Sequence, residues 1–417
     1  MRVAIVGAGY SGTIAAVEIA RVAPGARIIL IEKSGHFARG AAYGTTSPGH
    51  LLNVRARNMS ALAGEPGHFA RWAASEGHGP DDYVPRRDYR RYLESLLETA
   101  AGVTRVTGEA VAVEDAGIRL ASGALVECDC AVLAGGNYPS RLPAAFGARA
   151  IHDPWGPEGA AALARAAARG GDLLLVGTGL TMVDMAVSLE EAGFSGRILA
   201  ASRRGLVPRP HLSPAAAPLE WEPPPRLAAL VRAVRAREPW RASVDGLRPH
   251  SIALWQGLSD SERKRFLRHL RPWWDVHRHR IAPRVAARID AMRASGRLEI
   301  VAARVAGVEG EMVTLERRGG GRIRRRFDAV VNCTGPEGDI ERIGDPLIRS
   351  LLESGRARPD RLGLGFDVDA RSRVAGDGAS PALYALGPLT KGAFWEIVAV
   401  PDIRGQAAGV AKAIANL

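Results

Sequence analysis

The sequence predicts an α/β fold in which two strand–turn–helix–strand units follow one another along the chain. An apolar strand enters a glycine-rich turn within residues 3–32, and the same pattern recurs within residues 172–204. Two more apolar strands end in Ala-Gly or Thr-Gly, at residues 134–135 and 334–335, which suits close approach of backbone to a ligand. Together these observations predict two Rossmann-like dinucleotide-binding domains, the second inserted into the first, plus a helical insertion.

The turn of the first unit reads Gly7-Ala8-Gly9-Tyr10-Ser11-Gly12. Gly7 allows a tight turn, Gly9 lets a pyrophosphate approach the backbone, and Gly12 lets helix and strand pack closely. The second strand, residues 27–31, runs into Glu32, whose carboxylate can accept hydrogen bonds from a ribose. A GxGxxG sequence alone is a weak signal, but here the strands, the helix and the acid complete the pattern. This unit is therefore predicted to bind a dinucleotide.

Composition excludes several classes of protein. Of the 417 residues, 47% are hydrophobic and 24% are charged, which is typical of a globular chain of two or three domains. No apolar run is long enough to cross a bilayer, and the first strand begins too early for a signal peptide. The cysteines Cys128, Cys130 and Cys333 are spaced neither for a disulfide framework nor for a zinc site. We expect a cytoplasmic protein with no metal and no membrane partner.

The formal net charge of +12 comes almost entirely from arginine. Genome composition explains such a bias, and phosphate-rich cofactors or an anionic substrate would also benefit from it. A nucleic-acid-binding protein that retains a nucleotide fold is a further alternative, but no recognition motif or basic-aromatic stripe supports it. We therefore expect a small-molecule partner and no nucleic acid.

A long segment rich in Gly, Ser and Pro, residues 40–62, follows the first unit and contains His50, Asn53 and Met59. Long irregular segments inside compact domains are usually functional or disordered, and the apolar residues here argue against disorder. We interpret the segment either as a wall around the ring system of a cofactor or as a packed surface loop.

The turn of the second unit reads Gly177-Thr178-Gly179-Leu180-Thr181-Met182. Met182 replaces the third glycine, so helix and strand must pack differently there. The following strand ends on Arg203 and Arg204, where the first unit ends on an acid. An acid selects a free ribose 2′-hydroxyl, whereas arginines accommodate a 2′-phosphate. The second unit is predicted to prefer NADPH to NADH, unless both arginines are solvated on a surface turn.

Residues 205–292 are predicted to be mostly helical and carry many arginines, with Trp255, Phe266, Trp273 and Trp274 interleaved. Two interpretations stay open. The segment could cover a cofactor and bind an anionic substrate, or its tryptophans could form a core while its arginines are solvated. Its histidines predict no metal site, because no carboxylate or cysteine spacing supports one.

The C-terminal part supplies two more strands. Residues 328–332 form an apolar strand that ends in Thr-Gly, which we expect to accompany the strand before Gly135. Residues 382–386 lead into Gly387 and, after a loop, into a helix over residues 401–415. Because this helix follows a glycine turn at the end of a strand, its N-terminus can point at a cofactor.

These features resemble the two-dinucleotide-domain flavoproteins, the superfamily of glutathione reductase and the flavin-containing monooxygenases, over essentially the whole chain. Residues 43–60 and 386–396 resemble more particularly the bacterial group that includes FAD-dependent urate hydroxylase and aspartate N-monooxygenase. The chain also departs from the superfamily. It has no CxxxxC or CxxC dithiol, and Pro388 follows Gly387 where an Asp commonly holds the flavin's ribityl chain.

The resemblance implies FAD in a discontinuous domain of residues 1–165 and 328–417, and NADPH in a domain of residues 166–327. Trp395, Asn53 and His50 are candidates for the wall of the flavin site, with simple packing as the alternative for Trp395. The residues expected to contact the cofactors are Gly7, Gly9, Ser11, Gly12, Glu32, Lys33, Asn53, Met59, Gly135, Gly177, Gly179, Arg203, Arg204, Gly335 and Gly387.

The leading hypothesis is an FAD- and NADPH-dependent monooxygenase. It would hydroxylate a small, anionic, nitrogen-containing substrate, either urate-like or an amino acid, with molecular oxygen through a peroxyflavin. The sequence shows no evident triad or acid/base pair, which fits this hypothesis because the oxygen chemistry belongs to the cofactor. The alternative is an NAD(P)H-dependent flavoprotein reductase that passes electrons to a carrier protein or a quinone.

Overall fold

The computed structural model describes residues 1–212, 217–377 and 381–417, so residues 213–216 of the predicted insertion lie outside the described part. The strands are β1 (Arg2–Val6), β2 (Arg27–Glu32), β3 (Val103–Thr107), β4 (Ala110–Glu114), β5 (Gly117–Leu120), β6 (Leu125–Glu127), β7 (Cys130–Leu133), β8 (Tyr138–Pro139), β9 (Ala150–Ile151), β10 (Asp172–Val176), β11 (Arg197–Ser202), β12 (Leu298–Glu309), β13 (Met312–Arg317), β14 (Arg322–Arg326), β15 (Ala329–Asn332), β16 (Pro336–Glu337) and β17 (Ala382–Ala385).

The helices are α1 (Tyr10–Val22), α2 (Gly40–Tyr43), α3 (His68–Ser75), α4 (Arg86–Thr99), α5 (Pro157–Arg169), α6 (Leu180–Glu191), α7 (Leu227–Arg235), α8 (Trp240–Gly246), α9 (Ser251–Gly257), α10 (Asp260–Arg265), α11 (Arg271–Arg278), α12 (Pro283–Ala294), α13 (Pro346–Glu353), α14 (Lys391–Phe394) and α15 (Val400–Ala415). Among the described residues, none of these helices is both long enough and apolar enough to span a membrane.

The first sheet has the strand order β17-β7-β1-β2-β3, and all its neighbouring strands are parallel. Val3 and Ile5 of β1 pack with Ile14 of α1 and Ala407 of α15 on one face. On the other face, Ala4 packs against the small antiparallel sheet β4-β5-β6 and against α13. A parallel sheet needs cover on both faces, which explains why its strands are apolar throughout.

The second sheet has the order β14-β13-β12-β11-β10-β15-β9. The five strands from β12 to β9 in this order are parallel, and β13 and β14 extend the sheet as an antiparallel hairpin. Helices α6 and α12 pack on one face, through residues such as Met185 and Ile289. The predicted α/β class with two Rossmann-like domains is confirmed.

Strands β9 and β15 correct the assignment of the chain to its two sheets. We expected both in the first domain, but β15 lies beside β10 in the second sheet, and β9 lies beside β15. An apolar strand followed by Thr-Gly looks the same in either domain, and only its pairing over a long stretch of sequence decides between them. The second sheet therefore includes one strand before residue 166 and one strand after residue 327.

The connections between the two sheets pass side by side. The chain leaves the first sheet after β7 and returns to it after β15, and on these paths β8 pairs antiparallel with β16. The register places Tyr138 opposite Glu337 and Pro139 opposite Pro336. We call this two-residue pairing the linker ribbon.

The predicted insertion divides into two parts. Helix α12 belongs to the core of the second domain, where Val285 and Ile289 are buried. The preceding helices pack instead against the C-terminal loop of the first domain, where Leu227 and Trp255 form a buried cluster with Trp395. The tryptophan-core interpretation therefore holds for Trp255, whereas Trp273 is 45% exposed.

Candidate cofactor-binding site

The first glycine turn is built by close backbone contacts. Gly7 has φ of +96°, and a Cβ placed on it would lie 2.5 Å from the carbonyl oxygen of Ala134. A Cβ on Gly12 would lie 1.8 Å from the Gly7 oxygen. Only glycine fits either position, and the turn therefore lies directly against the end of β7.

Gly9 caps α1, and the first turn of α1 has neither a side-chain cap nor an acidic residue. Its backbone N–H groups and the positive end of the helix dipole are thus available to an anion. The nearest neighbour of a Cβ placed on Gly9 is the Cα of Gly40, at 3.4 Å. The residues present fit the diphosphate of a dinucleotide.

Glu32 lies at the end of β2, directly beside this turn. Its Oε2 accepts a hydrogen bond from the backbone N–H of Ala8 at 2.9 Å, and its Oε1 accepts from the Ser34 hydroxyl at 2.9 Å. The neighbouring Lys33 is largely exposed, with its Nζ 3.9 Å from Glu109. The carboxylate is therefore held beside the glycine turn, and its contact with a ribose stays a prediction.

Gly387 brings the C-terminal segment to the same turn. It has φ of +69°, and a Cβ on it would lie 2.6 Å from the Ser11 hydroxyl oxygen. Its N–H donates to Oε1 of Gln406 at 2.8 Å, and the Gln406 amide donates to the Thr390 hydroxyl at 2.9 Å. Gln406 on α15 thus fixes this segment at a point where the superfamily commonly uses an Asp.

The N-terminus of α15 differs from the expectation in its charge. Asp402 lies in the first turn of this helix, and its Oδ2 is 3.2 Å from Nη2 of Arg248. Burial raises the pKa of Asp402, although Arg248 acts in the opposite direction. The positive end of α15 therefore already has a carboxylate beside it, which offsets its effect on a neighbouring anion.

The second glycine turn repeats the geometry of the first. Gly177 has φ of +116°, and a Cβ on it would lie 2.1 Å from the carbonyl oxygen of Cys333, at the end of β15. Gly179 caps α6, again without a side-chain cap or an acid in the first turn. Gly335, with φ of +92°, follows two residues after Cys333. Each turn therefore abuts the end of the neighbouring strand of its own sheet, β7 for Gly7 and β15 for Gly177.

Arg203 and Arg204 follow β11, beyond Ser202. Arg203 is exposed and Arg204 is half-buried. Neither guanidinium has a hydrogen-bond or ion-pair partner in residues 1–212, 217–377 or 381–417. Ser202 bonds instead to Thr178 of the glycine turn, at 2.7 Å between the hydroxyl oxygens. Both arginines therefore have unused hydrogen-bond donors, and their contact with a 2′-phosphate stays a prediction.

His50 joins the two domains. Its Nδ1 is 2.7 Å from the Thr45 hydroxyl and its Nε2 is 2.9 Å from the carbonyl oxygen of Asp184 on α6. Arg86 makes two hydrogen bonds to the Asp184 carboxylate, at 2.9 and 3.2 Å. Both ring nitrogens of His50 are hydrogen-bonded and only 2% of its surface is exposed, so this side chain links the two domains.

Asn53 and Met59 lie in the same segment. The Asn53 carbonyl accepts a hydrogen bond from Nε2 of His211, at 2.9 Å, which ties the segment to the insertion. Met59 is 3% exposed, and its carbonyl accepts a hydrogen bond from the Tyr89 hydroxyl. The segment is thus ordered and packed, and Asn53 is the more accessible of the two side chains.

Trp395 lies under the insertion. Its ring stacks on Trp255 with 4.9 Å between centroids, and its backbone has φ of +35°. It is 5% exposed, and the Nζ of Lys391 lies 4.6 Å from its ring centroid. These contacts agree with the alternative that Trp395 is a packing residue. Its Nε1 is buried without a hydrogen-bond partner among the described residues, which packing alone does not explain.

A cavity of about 200 Å³ opens where the linker ribbon, α11 and the start of α14 meet. Its charged lining residues are Arg271 of α11, Lys391 of α14, Glu337 and Asp339. Sequence reasoning did not identify these residues. They are separated by up to 120 positions along the chain, and no local pattern joins them.

Comparison with known proteins supports this architecture. Residues 4–138, less than half of the chain, match a family model described as FAD-NAD(P)-binding, in agreement with the predicted FAD site. The chain is similar in structure to an ornithine hydroxylase from Pseudomonas aeruginosa, with a TM-score of 0.67 and 17% identity, covering 100% of this chain and 98% of that one.

Two further solved structures are similar over nearly their whole length. One is an FAD-bound cadaverine monooxygenase from Erwinia amylovora, with a TM-score of 0.68 and 11% identity, covering 100% of this chain and 94% of that one. The other is an L-lysine 6-monooxygenase from Pseudomonas syringae, with a TM-score of 0.65 and 17% identity, covering 99% and 98%. At such identities the likeness is one of fold, and function must be argued from the site.

Proposed function

We propose that this chain is an FAD- and NADPH-dependent monooxygenase that hydroxylates a small nitrogen-containing substrate. The observation that carries the proposal is the pair of glycine turns, each with an uncapped helix N-terminus, at the ends of parallel strands in two separate sheets. Two dinucleotides in one chain suit a hydride transfer from a nicotinamide to a flavin. The three similar structures are named as hydroxylases or monooxygenases that act on amines or amino acids.

In this proposal the first turn holds FAD and the second holds NADPH. The uncapped N–H groups after Gly9 would bind the FAD diphosphate, and Glu32 would bind its ribose. Arg203 and Arg204 would bind the 2′-phosphate of NADPH. When bound, FAD would accept hydride from NADPH and supply the chemistry that activates oxygen. The protein's own residues position both cofactors and keep water away.

Two observations weigh against the reductase alternative. Cys128, Cys130 and Cys333 are all buried, and burial raises the pKa of each thiol. They are thus unsuited to dithiol exchange. In addition, helices that precede α12 pack on the C-terminal loop through Leu227 and Trp255, where a reductase for large carriers would need an open flavin edge.

For the substrate, we propose a nitrogen compound that carries an acidic group, such as an amino acid or a urate-like heterocycle. The arginine excess of the insertion supports an anionic group: residues 205–292 contain 16 Lys and Arg against 8 Asp and Glu. The amine substrates named for the similar structures support the nitrogen. A bacterial specificity close to urate hydroxylase or aspartate N-monooxygenase belongs to this proposal. So do a small-molecule partner with oxygen, a cytoplasmic location, and the absence of nucleic-acid and membrane partners.

The test begins with the absorption spectrum of the purified protein, which should show bound flavin. NADPH added without oxygen should bleach the flavin band. With oxygen, a panel of amino acids, diamines and purines should contain a compound that couples one NADPH and one oxygen to one hydroxylated product. Fast reduction of a quinone or ferredoxin, with no compound stimulating oxygen uptake, would instead establish a reductase.

A further inference from the structure

The cavity at the linker ribbon contains a positive charge without a counter-ion. Lys391 is half-buried, and its ammonium group has no hydrogen bond and no carboxylate within 4.0 Å in the described part of the chain. Its contact is with the face of Trp395, 4.6 Å from Nζ to the ring centroid. A buried charge normally has a hydrogen-bonding partner.

A second cation lies beside the first. The Arg271 guanidinium lies over the same Trp395 ring, 5.9 Å from its centroid, and also lines the cavity. Its Nε is 3.5 Å from Asp275, which neutralises part of its charge but leaves the other nitrogens of the guanidinium free to bind. Two positive charges beside the same aromatic ring repel each other unless an anion lies near both.

Burial and, as a smaller cause, the positive charge of Arg271 lower the pKa of Lys391 to about 8. Carboxylates act against this effect from neighbouring elements, and the titratable groups that face the ammonium are Arg271, Asp275, His279 and Glu396. A folded-state pKa below the ordinary value means that the protonated form is destabilised in the empty cavity. An anion in the cavity would reverse that shift, so its binding should take up protons near pH 8.

Two carboxylates that line the same cavity select among anions. Glu337 accepts a hydrogen bond from the backbone N–H of Asp339 at 3.1 Å, and Asp339 accepts one from the N–H of Glu341 at 3.2 Å. Oδ2 of Asp339 is also 4.0 Å from Nε of Arg342, whereas Glu337 has no ion pair in the described residues. Each carboxylate retains acceptor capacity, and Glu337 would repel a second negative charge. A phosphate dianion is thus disfavoured, and a ligand with one carboxylate and a hydrogen-bond donor at its other end is favoured.

We propose that this cavity binds a small amino- or hydroxycarboxylate, with its carboxylate between Lys391 and Arg271 and its donor group facing Glu337. The cavity lies apart from the Arg203 pair and is lined by residues on both sides of the linker ribbon. The proposal does not depend on the oxygenase function, because binding can be measured without NADPH and without turnover.

The test is a ligand-observed NMR titration of the FAD-containing protein with four probes: γ-aminobutyrate, 4-hydroxybutyrate, butyrate and butylamine. The probes share a four-carbon chain and differ in whether they carry the carboxylate, the hydrogen-bond donor or both. The first two should bind more tightly than butyrate, and butylamine should not compete. Lys391→Met should weaken binding at least about tenfold, the effect of losing a charged hydrogen bond. Lys264→Met, an exposed lysine of the same insertion, should change it less than about twofold.

Equal affinity of the wild type and Lys391→Met would overturn the proposal, as would butylamine or inorganic phosphate competing as well as γ-aminobutyrate. If Lys391→Met loses its flavin on purification, Arg271→Gln decides in its place, since the half-exposed Arg271 tolerates substitution better. Titrations at pH 7 and pH 8.5 should show proton uptake in the wild type and none in Lys391→Met.

Discussion

Glu396 allows a sharp test of how the insertion is attached to the C-terminal loop. This carboxylate is 2% exposed, and its Oε2 lies 3.1 Å from Nε of Arg278. Its Oε1 accepts a hydrogen bond from the indole N–H of Trp274, at 2.8 Å. Burial acts to raise its pKa, but neighbouring charges and this hydrogen bond lower it overall. His279 and Arg278 supply the largest of these lowering charges, and the Arg278 guanidinium is the one that remains charged at every pH of interest.

Glu396→Gln keeps the acceptor for Trp274 and removes only the charge. Arg278, with 11% of its side chain exposed, is then left without its carboxylate. Breaking one partner of a buried pair costs about 3–5 kcal/mol, and because Nε of Arg278 and Oε2 of Glu396 lie close together without hydrogen-bond geometry, we expect the lower part of that range, about 3 kcal/mol. The measurement is urea unfolding followed by tryptophan fluorescence, with Glu353→Gln as an exposed control expected to change stability by less than about 0.5 kcal/mol.

If the cost comes from the stranded guanidinium, Arg278→Met in the Glu396→Gln background should restore part of the lost stability. The depressed pKa of Glu396 adds a pH signature: its contribution is complete above about pH 4.3, the ordinary value for Glu, and is lost as pH falls through the lower folded value. The reasoning fails if Glu396→Gln unfolds like the Glu353 control, or if the double variant is less stable than either single variant.

Three further outcomes concern the cofactors. Gly9→Val should yield protein without flavin, because its side chain would occupy the diphosphate approach and press on the Gly40 Cα; a fully yellow variant would show that FAD binds elsewhere. Arg203→Ala with Arg204→Ala should raise the KM for NADPH at least about tenfold more than the KM for NADH, and equal effects in steady-state assays would show that the arginines do not bind the phosphate. Trp395→Ala should keep NADPH oxidation but divert oxygen to hydrogen peroxide; an unchanged ratio of peroxide to product would confine Trp395 to packing.

The parts of this fold that could be predicted from sequence are local. The glycine turns are specified by apolar strands and by glycines at positions where a Cβ would collide, so Gly7 and Gly177 could be recognised from their neighbours. The strand Ala329–Asn332 could not be assigned to its sheet, because its pattern is equally good in both domains and its pairing with β10 spans more than 150 residues.

The site shows the same limit. Glu32, Arg203 and Arg204 follow their strands directly and were identifiable from the end of a βαβ unit. Arg271 and Lys391 share a cavity only because the insertion folds back on the C-terminal loop, and no spacing in the sequence reports that contact. His50 was a candidate for the flavin wall because of its loop, whereas the partner of its Nε2 is Asp184, on a helix more than 130 residues away.

The linker ribbon also bears on how such a chain can be assembled. Because Tyr138 and Glu337 are paired, the chain leaves the first domain and returns to it at neighbouring positions. A gene segment encoding residues 140–335 could therefore be exchanged for another coenzyme module without altering the strand order β17-β7-β1-β2-β3. The replacement segment would have to supply its own packing partner for Trp395, since the helices that cover this tryptophan are part of the exchanged segment. Under the proposed function, an exchange of this segment would thus change the coenzyme preference and the cover of the flavin site at the same time.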